Sequence, residues 1–312
     1  MRSVFELAVT VVPLALLWVA AWWALSFSAW LAVALSLLNG VFLVRLFAIQ
    51  HDCGHRAFFN SRRANDWAGR CKGVLTLTPH AVWRHSHTAH HSTAGHLEHR
   101  GIGDIHTATV AEYAALPWRG RLGYRLYRHP LVMLGLFPTL LFWVKNRVPG
   151  SRDAGRDLWW SAMGTNLALA VLLLFFGALI GVKAMLLVYL PTTILAATIG
   201  MWLFYIQHQF EDTSWDDGSD WQLHEAALHG SSHYDLPPIL RWLTANIGIH
   251  HVHHLHCRIP CYRLPEVLRD HPQLAGIARI TLRQSAACLR LKLWDESQRK
   301  LVSFADAAPI RA

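Results

Sequence analysis

The sequence is poor in charge, and poorest in acid. Asp, Glu, Lys and Arg make up 16% of its 312 residues, and 20 acids stand against 29 bases for a net charge of +9. Ordinary soluble domains carry about a quarter charged residues, so a water-soluble fold around one apolar core is a poor fit. Cysteine is scarce as well. The five present show no framework spacing, and Cys257 and Cys261 flank Pro260. A disulfide-stapled fold is thereby excluded, and reduced cytosolic thiols are expected. No Glu-x-x-His pair occurs, which removes the carboxylate-bridged di-iron bundle. No cleavable leader is expected, because the first apolar run has only Arg2 before it and a second run follows at once.

What the chain has instead is apolar length. Residues 53% hydrophobic with 15 Trp gather into four long runs, expected to span a membrane at about 4–25, 29–48, 158–182 and 184–206. Each reaches the roughly 20 residues that a spanning helix needs. Of the 29 Lys and Arg, 15 lie between 49 and 157 and 11 between 206 and 312, leaving Arg2, Arg45 and Lys183 elsewhere. Basic residues follow membrane topology here, which argues against a nucleic-acid partner. The expected architecture is an all-α integral membrane protein, with four transmembrane helices in two hairpins and both termini cytosolic. A helical cytosolic cap from 49–157 and 207–312 completes a single domain, 1–312. The run Leu131 to Val144, interrupted by Pro138, is too short to cross and is expected to be interfacial or re-entrant. Arg45, near the cytosolic end of the second run, is expected to snorkel to the interface. Residues 277–294 mix Arg279, Arg283, Arg290 and Lys292 with Ile, Leu and Trp. They are expected to form an amphipathic helix, either on an anionic membrane surface or packed on the protein.

Histidine is the residue in excess, at 21 copies. Three clusters stand out: His51 and His55 in HDCGH, His87, His90 and His91 in HSHTAHH, and His250, His253 and His254 in HHVHH. Chance would account for one such spacing in so histidine-rich a chain, but not for three, two of which share the form H-x-x-H-H. Residues three and four apart share a helix face, so each cluster is expected to aim its imidazoles at one point. Neutral imidazole suits iron, zinc and copper. Eight imidazoles exceed what one ion takes, so two metal ions are expected. His85, His251 and His256 fall off the ligand face. Imidazole ligands usually pass their second N–H to a carboxylate or carbonyl, and Asp52, Glu98, Asp104, Glu211, Asp212 and Asp235 are candidates for that task.

These boxes and their surroundings resemble a known family. HDCGHRAFF, WRHSHTAHH, GDIHTATVAEY, YIQHQFED, NIGIHHVHHLHCRIPCYRLPE and LRLKLWDE look like segments of the membrane fatty acid desaturases, and of the bacterial acyl-lipid omega-6 (delta-12) type in particular. The likeness runs from about Gln50 onward. It implies an oxygen-dependent oxidoreductase with two ferrous ions and O2 as co-substrate, inserting a double bond into a fatty acyl lipid. His51, His55, His87, His90, His91, His250, His253 and His254 match the family boxes as metal ligands. His208 is an expected ninth. It closes the fourth run where Gln207, Gln209, Glu211 and Asp212 turn the sequence abruptly polar, and related desaturases place a further histidine there. The resemblance also implies the bacterial inner membrane, a long apolar slot ending near the boxes, and a separate electron donor, ferredoxin or a cytochrome with its reductase. No His-Pro-Gly-Gly haem motif occurs, since His129-Pro130 and His271-Pro272 are followed by Leu-Val and Gln-Leu. His85 departs from the usual box-two pattern, and His96 and His99 thicken that region. Hydroxylases, acetylenases and carotenoid-type oxygenases share the scaffold, so those reactions remain alternatives. A histidine-rich metal transporter is a distant one, because it would place ligands at mid-membrane rather than at the cytosolic ends of the runs.

Overall fold

The computed structural model describes residues 1–101, 103–148, 155–218 and 220–307. Among these residues, four helices are long and apolar enough to cross a membrane: Arg2–Ala24, Ala29–Gly54, Arg156–Ile180 and Val182–His208. Short turns join them in pairs. Ser28 caps the second helix by accepting from the Leu31 N–H at 3.2 Å. Gly181 ends the third in the left-handed region at φ 83°, which a residue with a Cβ would resist. The spans are unequally covered. The second is 56% buried over its apolar window and the fourth 33%, against 17% for the first and 11% for the third. The second and fourth are therefore the inner pair, joined where Thr192 Oγ1 donates to the Ser36 carbonyl at 2.9 Å. The outer faces of the first and third carry exposed Leu, Val, Phe and Trp, as a lipid-facing surface should.

Both inner helices outrun their apolar stretches. The second continues to Gly54 and carries His51 in its last turn, and the fourth continues to His208. A cap of shorter helices sits on these extensions, among them Arg62–Leu75, His80–Thr93, Trp118–Tyr127 and His250–Leu255. Two small sheets pin it: His233–Asp235 runs parallel to Arg279–Thr281, and Leu293–Asp295 antiparallel to Lys300–Val302. The buried Arg128 guanidinium ties the cap to the fourth span, donating to Gln209 Oε1 at 2.6 Å, Thr107 Oγ1 at 3.2 Å and the Leu291 carbonyl at 3.2 Å. Within the expected re-entrant stretch, Phe137–Trp143 is α-helical and follows a π-helical turn, Val132–Leu136. It packs along the fourth span, with Trp143 edge-on to Tyr189 at 5.8 Å.

Two expectations need correction. Residues 277–294 are not one helix. They form the strand Arg279–Thr281, a helix Leu282–Cys288 opened by a Thr281–Gln284 capping box, and the strand Leu293–Asp295. Apart from exposed Leu282, their large apolar residues are buried or half-buried: Ile280 pairs with Tyr234, and Trp294 is buried and stacks on Trp215 at 5.5 Å. Nor does Arg45 snorkel. It is 2% exposed and faces the first span, where its Nη2 lies 2.6 Å from Glu6 Oε2 and its Nε donates to Thr10 Oγ1 at 2.9 Å. Its guanidinium also lies over the Trp242 ring at 4.1 Å. A paired, hydrogen-bonded charge has no need to reach water.

Candidate metal centre

The nine histidines singled out in the sequence meet beneath the cap, but not box by box. They form two groups, in each of which one nitrogen from every ring lies within 4.8 Å of the others: His51, His55, His87, His91 and His253 in one, His90, His208, His250 and His254 in the other. Boxes two and three are each divided. Box two sends its i, i+4 pair, His87 and His91, to the five-membered group and His90 to the four-membered one. Box three does the reverse, giving His253 to the first and the pair His250 and His254 to the second. The expectation of one point per box is corrected by helix geometry, because i+3 and i+4 positions diverge to either side of the starting residue. His91 and His254 stack at 4.1 Å between ring centres, so the groups adjoin.

The nitrogen spacings fit metal ions. In the larger group, His87 Nε2 lies 3.0 Å from His51 Nε2, 3.0 Å from His55 Nε2 and 3.1 Å from His91 Nε2. In the smaller, His208 Nε2 lies 3.1 Å from His90 Nε2 and 3.0 Å from His250 Nε2. A metal–nitrogen bond of about 2.1 Å with ligands at right angles puts neighbouring nitrogens about 3.0 Å apart. The outer nitrogens sharpen the point. His90 Nδ1 donates to Asp104 Oδ1, and His208 Nδ1 donates to the Gly230 carbonyl at 3.2 Å. With both protons on the outside, the two Nε2 atoms face each other as bare lone pairs. No N–H···N bond can join them, and a cation between them relieves the repulsion. His51 is fixed alike, its Nδ1 donating to Asp52 Oδ1 at 3.2 Å, while Asp52 Oδ2 accepts from the Cys261 N–H at 2.6 Å. Burial, reinforced by the neighbouring imidazoles, holds His87, His91, His250, His253 and His254 well below the ordinary histidine range. Neutral rings are the form that binds metal.

The acidic candidates divide. Asp52 and Asp104 hold rings of the two groups. Glu98 and Asp212 are exposed and do not reach a ring, Glu211 faces Lys300 at 3.6 Å, and Asp235 accepts from Arg279 Nε at 3.0 Å. Glu211 and Asp235 are thus engaged by Lys300 and Arg279 rather than by a histidine. His85 and His256 are exposed, and His251 turns away to donate its Nε2 proton to the Leu274 carbonyl at 2.9 Å. Sequence reasoning passed over Trp83, which stacks on His87 at 4.4 Å and lies 5.5 Å from His51. Its signal was its place one turn before His87. Gly54 makes room for it, because a Cβ there would collide with the Trp83 ring. On the membrane side of Trp83 lies Phe47, 5.8 Å away, and beyond it an apolar cleft between the inner spans. Leu43, Val44, Leu77, Phe142, Thr193, Ala196, Ala197 and Gly200 line the cleft.

The chain is also similar to known proteins. A family profile described as fatty acid desaturase matches residues 28–285. A fatty acid desaturase of Bacillus subtilis is 42% identical over 97% of this chain and 86% of its own length. An sn-1 oleoyl-lipid 12-desaturase of Synechocystis is 29% identical over 72% of this chain and 64% of its own length. A chloroplastic sn-2 acyl-lipid omega-3 desaturase (ferredoxin) of Helianthus annuus is 29% identical over 76% of this chain and 55% of its own length.

Proposed function

The chain belongs to the fatty acid desaturase family and is an oxidoreductase, and from that premise we propose an oxygen-dependent, two-iron enzyme that inserts a double bond into the acyl chain of a membrane lipid. The observation that carries the reading is the pair of imidazole groups standing beside an apolar cleft between two membrane helices. The omega-6 (delta-12) position is supported by the Synechocystis relative, whose name specifies a 12-desaturase. Removing hydrogen from an unactivated methylene is beyond any side-chain acid or base, and bound iron with O2 supplies the oxidant for it.

The chain's own residues supply the rest. His51, His55, His87, His91 and His253 would hold one iron, and His90, His208, His250 and His254 the other. Asp52, Asp104 and the Gly230 carbonyl fix the ring protons on the outer nitrogens and keep the inner lone pairs aimed inward. The all-imidazole set accepts iron as it does zinc and copper, and the choice of iron rests on the family. Leu43, Val44, Ala196, Ala197 and Gly200 offer an acyl chain an apolar wall, and Trp83 and Phe47 stand between that wall and the histidines. Electrons would come from a separate ferredoxin or cytochrome, and ferredoxin is the donor in the name of the Helianthus relative. The basic residues flanking the spans support a bacterial inner-membrane protein with both termini cytosolic.

The test is expression in a bacterium without polyunsaturated lipids, with new double bonds located by mass spectrometry of fatty acid derivatives. The reading requires acyl chains that have lost two hydrogens, with the bond at the omega-6 or delta-12 position. Products carrying added oxygen would overturn it.

A further inference from the structure

The helix Trp118–Tyr127 has two opposite apolar sides. One, with Tyr124 buried and Tyr127 half-buried, faces the cap. The other is exposed: Trp118, Leu122 and Leu126 recur every fourth residue and are 65%, 49% and 56% accessible, one continuous edge. The chain then carries exposed Leu131, Leu136 and Leu140 into the helix packed along the fourth span, so further exposed apolar side chains follow the edge toward the spans. Arginines border it on both flanks. By helical rotation, Arg119 lies on one side and Arg121 and Arg125 on the other, all exposed. Arg125 Nε donates to the Tyr113 hydroxyl at 2.7 Å. Neither Arg119 nor Arg121 has a carboxylate partner among the described residues. A cap surface made for water would not set three large apolar side chains in a row. An apolar edge flanked by cations on an element joined to the spans is the arrangement that suits the surface of an anionic phospholipid membrane.

We propose that Trp118–Tyr127 lies in the headgroup layer of the cytosolic leaflet, with Trp118, Leu122 and Leu126 among the acyl chains and Arg119 and Arg121 holding the phosphates of anionic phospholipid. This assigns to a different element the surface role that the sequence suggested for residues 277–294. It rests on the membrane placement proposed above. Because the same chain continues to Phe142, a wall of the cleft, a lipid bound here sits at one end of the segment that shapes the cleft.

Spin labels test it on the full chain in nanodiscs of phosphatidylcholine, with and without phosphatidylglycerol. A Cys71→Ser, Cys257→Ser background removes the more accessible thiols. Labels go on Leu122→Cys, on Ser297→Cys in an exposed turn, and on Leu174→Cys, 75% exposed on the third span. Collisions with a water-soluble nickel chelate should be several-fold rarer at 122 than at 297. They should fall further when phosphatidylglycerol is present, and Arg119→Gln with Arg121→Gln should erase that dependence. A label at 122 as open to nickel as the one at 297 would overturn the proposal and leave the edge for a protein partner. Protection equal in both lipids would overturn the anionic part. Nickel reaching the label at 174 would instead contradict the membrane placement itself, which separates the two failures.

Discussion

The two histidine groups look alike and are built differently. The five-membered group draws entirely on the three boxes, with two i, i+4 pairs and one further ring. The four-membered group has one such pair, one ring from box two, and His208, which belongs to no box. The first has one ring more than the second, so the loss of one ring is expected to cost it less. Their outer supports differ too. Asp52 holds His51 and also the Cys261 backbone, so it joins the second span to the segment after box three. Asp104 holds His90 from a loop of the cap. A centre assembled from helices that converge by chance would not divide its boxes so reciprocally. The division follows from the box-two and box-three helices running between two points and offering rings to both sides, while box one serves the five-membered group alone.

That difference orders the expected losses. The largest follows His208→Ala. With one of four rings gone, activity should fall by about 100-fold or more, beyond the 10–100-fold usual for an outer partner, and the four-membered group should lose its ion. His55→Ala, removing one ring of five, should lose less, and a reversed order in metal content measured on the two purified variants would break the comparison. Next come the carboxylates. Asp104→Asn should weaken metal binding by about 10–100-fold. Asp52→Asn should spare more metal, since four other rings remain, but should lower thermal stability because the Cys261 N–H loses its charged acceptor. Metal titration beside thermal denaturation would tell the two apart.

A smaller effect is expected from the cleft. A Cβ at Gly200 meets nothing within 4 Å, although the residue lines the cleft. Gly200→Leu should leave both groups fully loaded, while cutting turnover of the longest acyl chains about tenfold, the scale of a pocket contact, or moving the double bond. Unchanged products across chain lengths would place the acyl chain elsewhere. The smallest effect concerns rings outside both groups. His80 and His251 are pushed down to about 4, chiefly by burial. The unfolded chain takes up protons below about pH 6.5 while these rings in the folded chain do not. Stability of the metal-free protein should therefore be full above pH 6.5 and decline as pH falls toward 4. His80→Leu should flatten that decline in thermal melts, and an unaltered slope would exclude His80 as a contributor.

Much of this was legible in the sequence because it is local. Four apolar runs and three histidine spacings need only a helix to become spans and ligand faces, and His208 announced itself by the abrupt polar change after the fourth run. What could not be read depends on distant partners. The Glu6–Arg45 pair joins two spans, so Arg45 alone looked like a snorkelling residue. The 277–294 stretch has helical composition, but Ile280 finds Tyr234 and Trp294 finds Trp215, and pairing overrides pattern. Of six acids offered as ring partners, Asp52 adjoins its histidine in sequence. Asp104 reaches His90 through the fold of a loop, which no spacing encodes.

The most direct test of the two-group account is metal stoichiometry on the intact protein, by elemental analysis of iron-loaded wild type and His208→Ala side by side. The account predicts two irons per chain in the wild type and one in the variant. One iron in the wild type, or two retained in the variant, would contradict it.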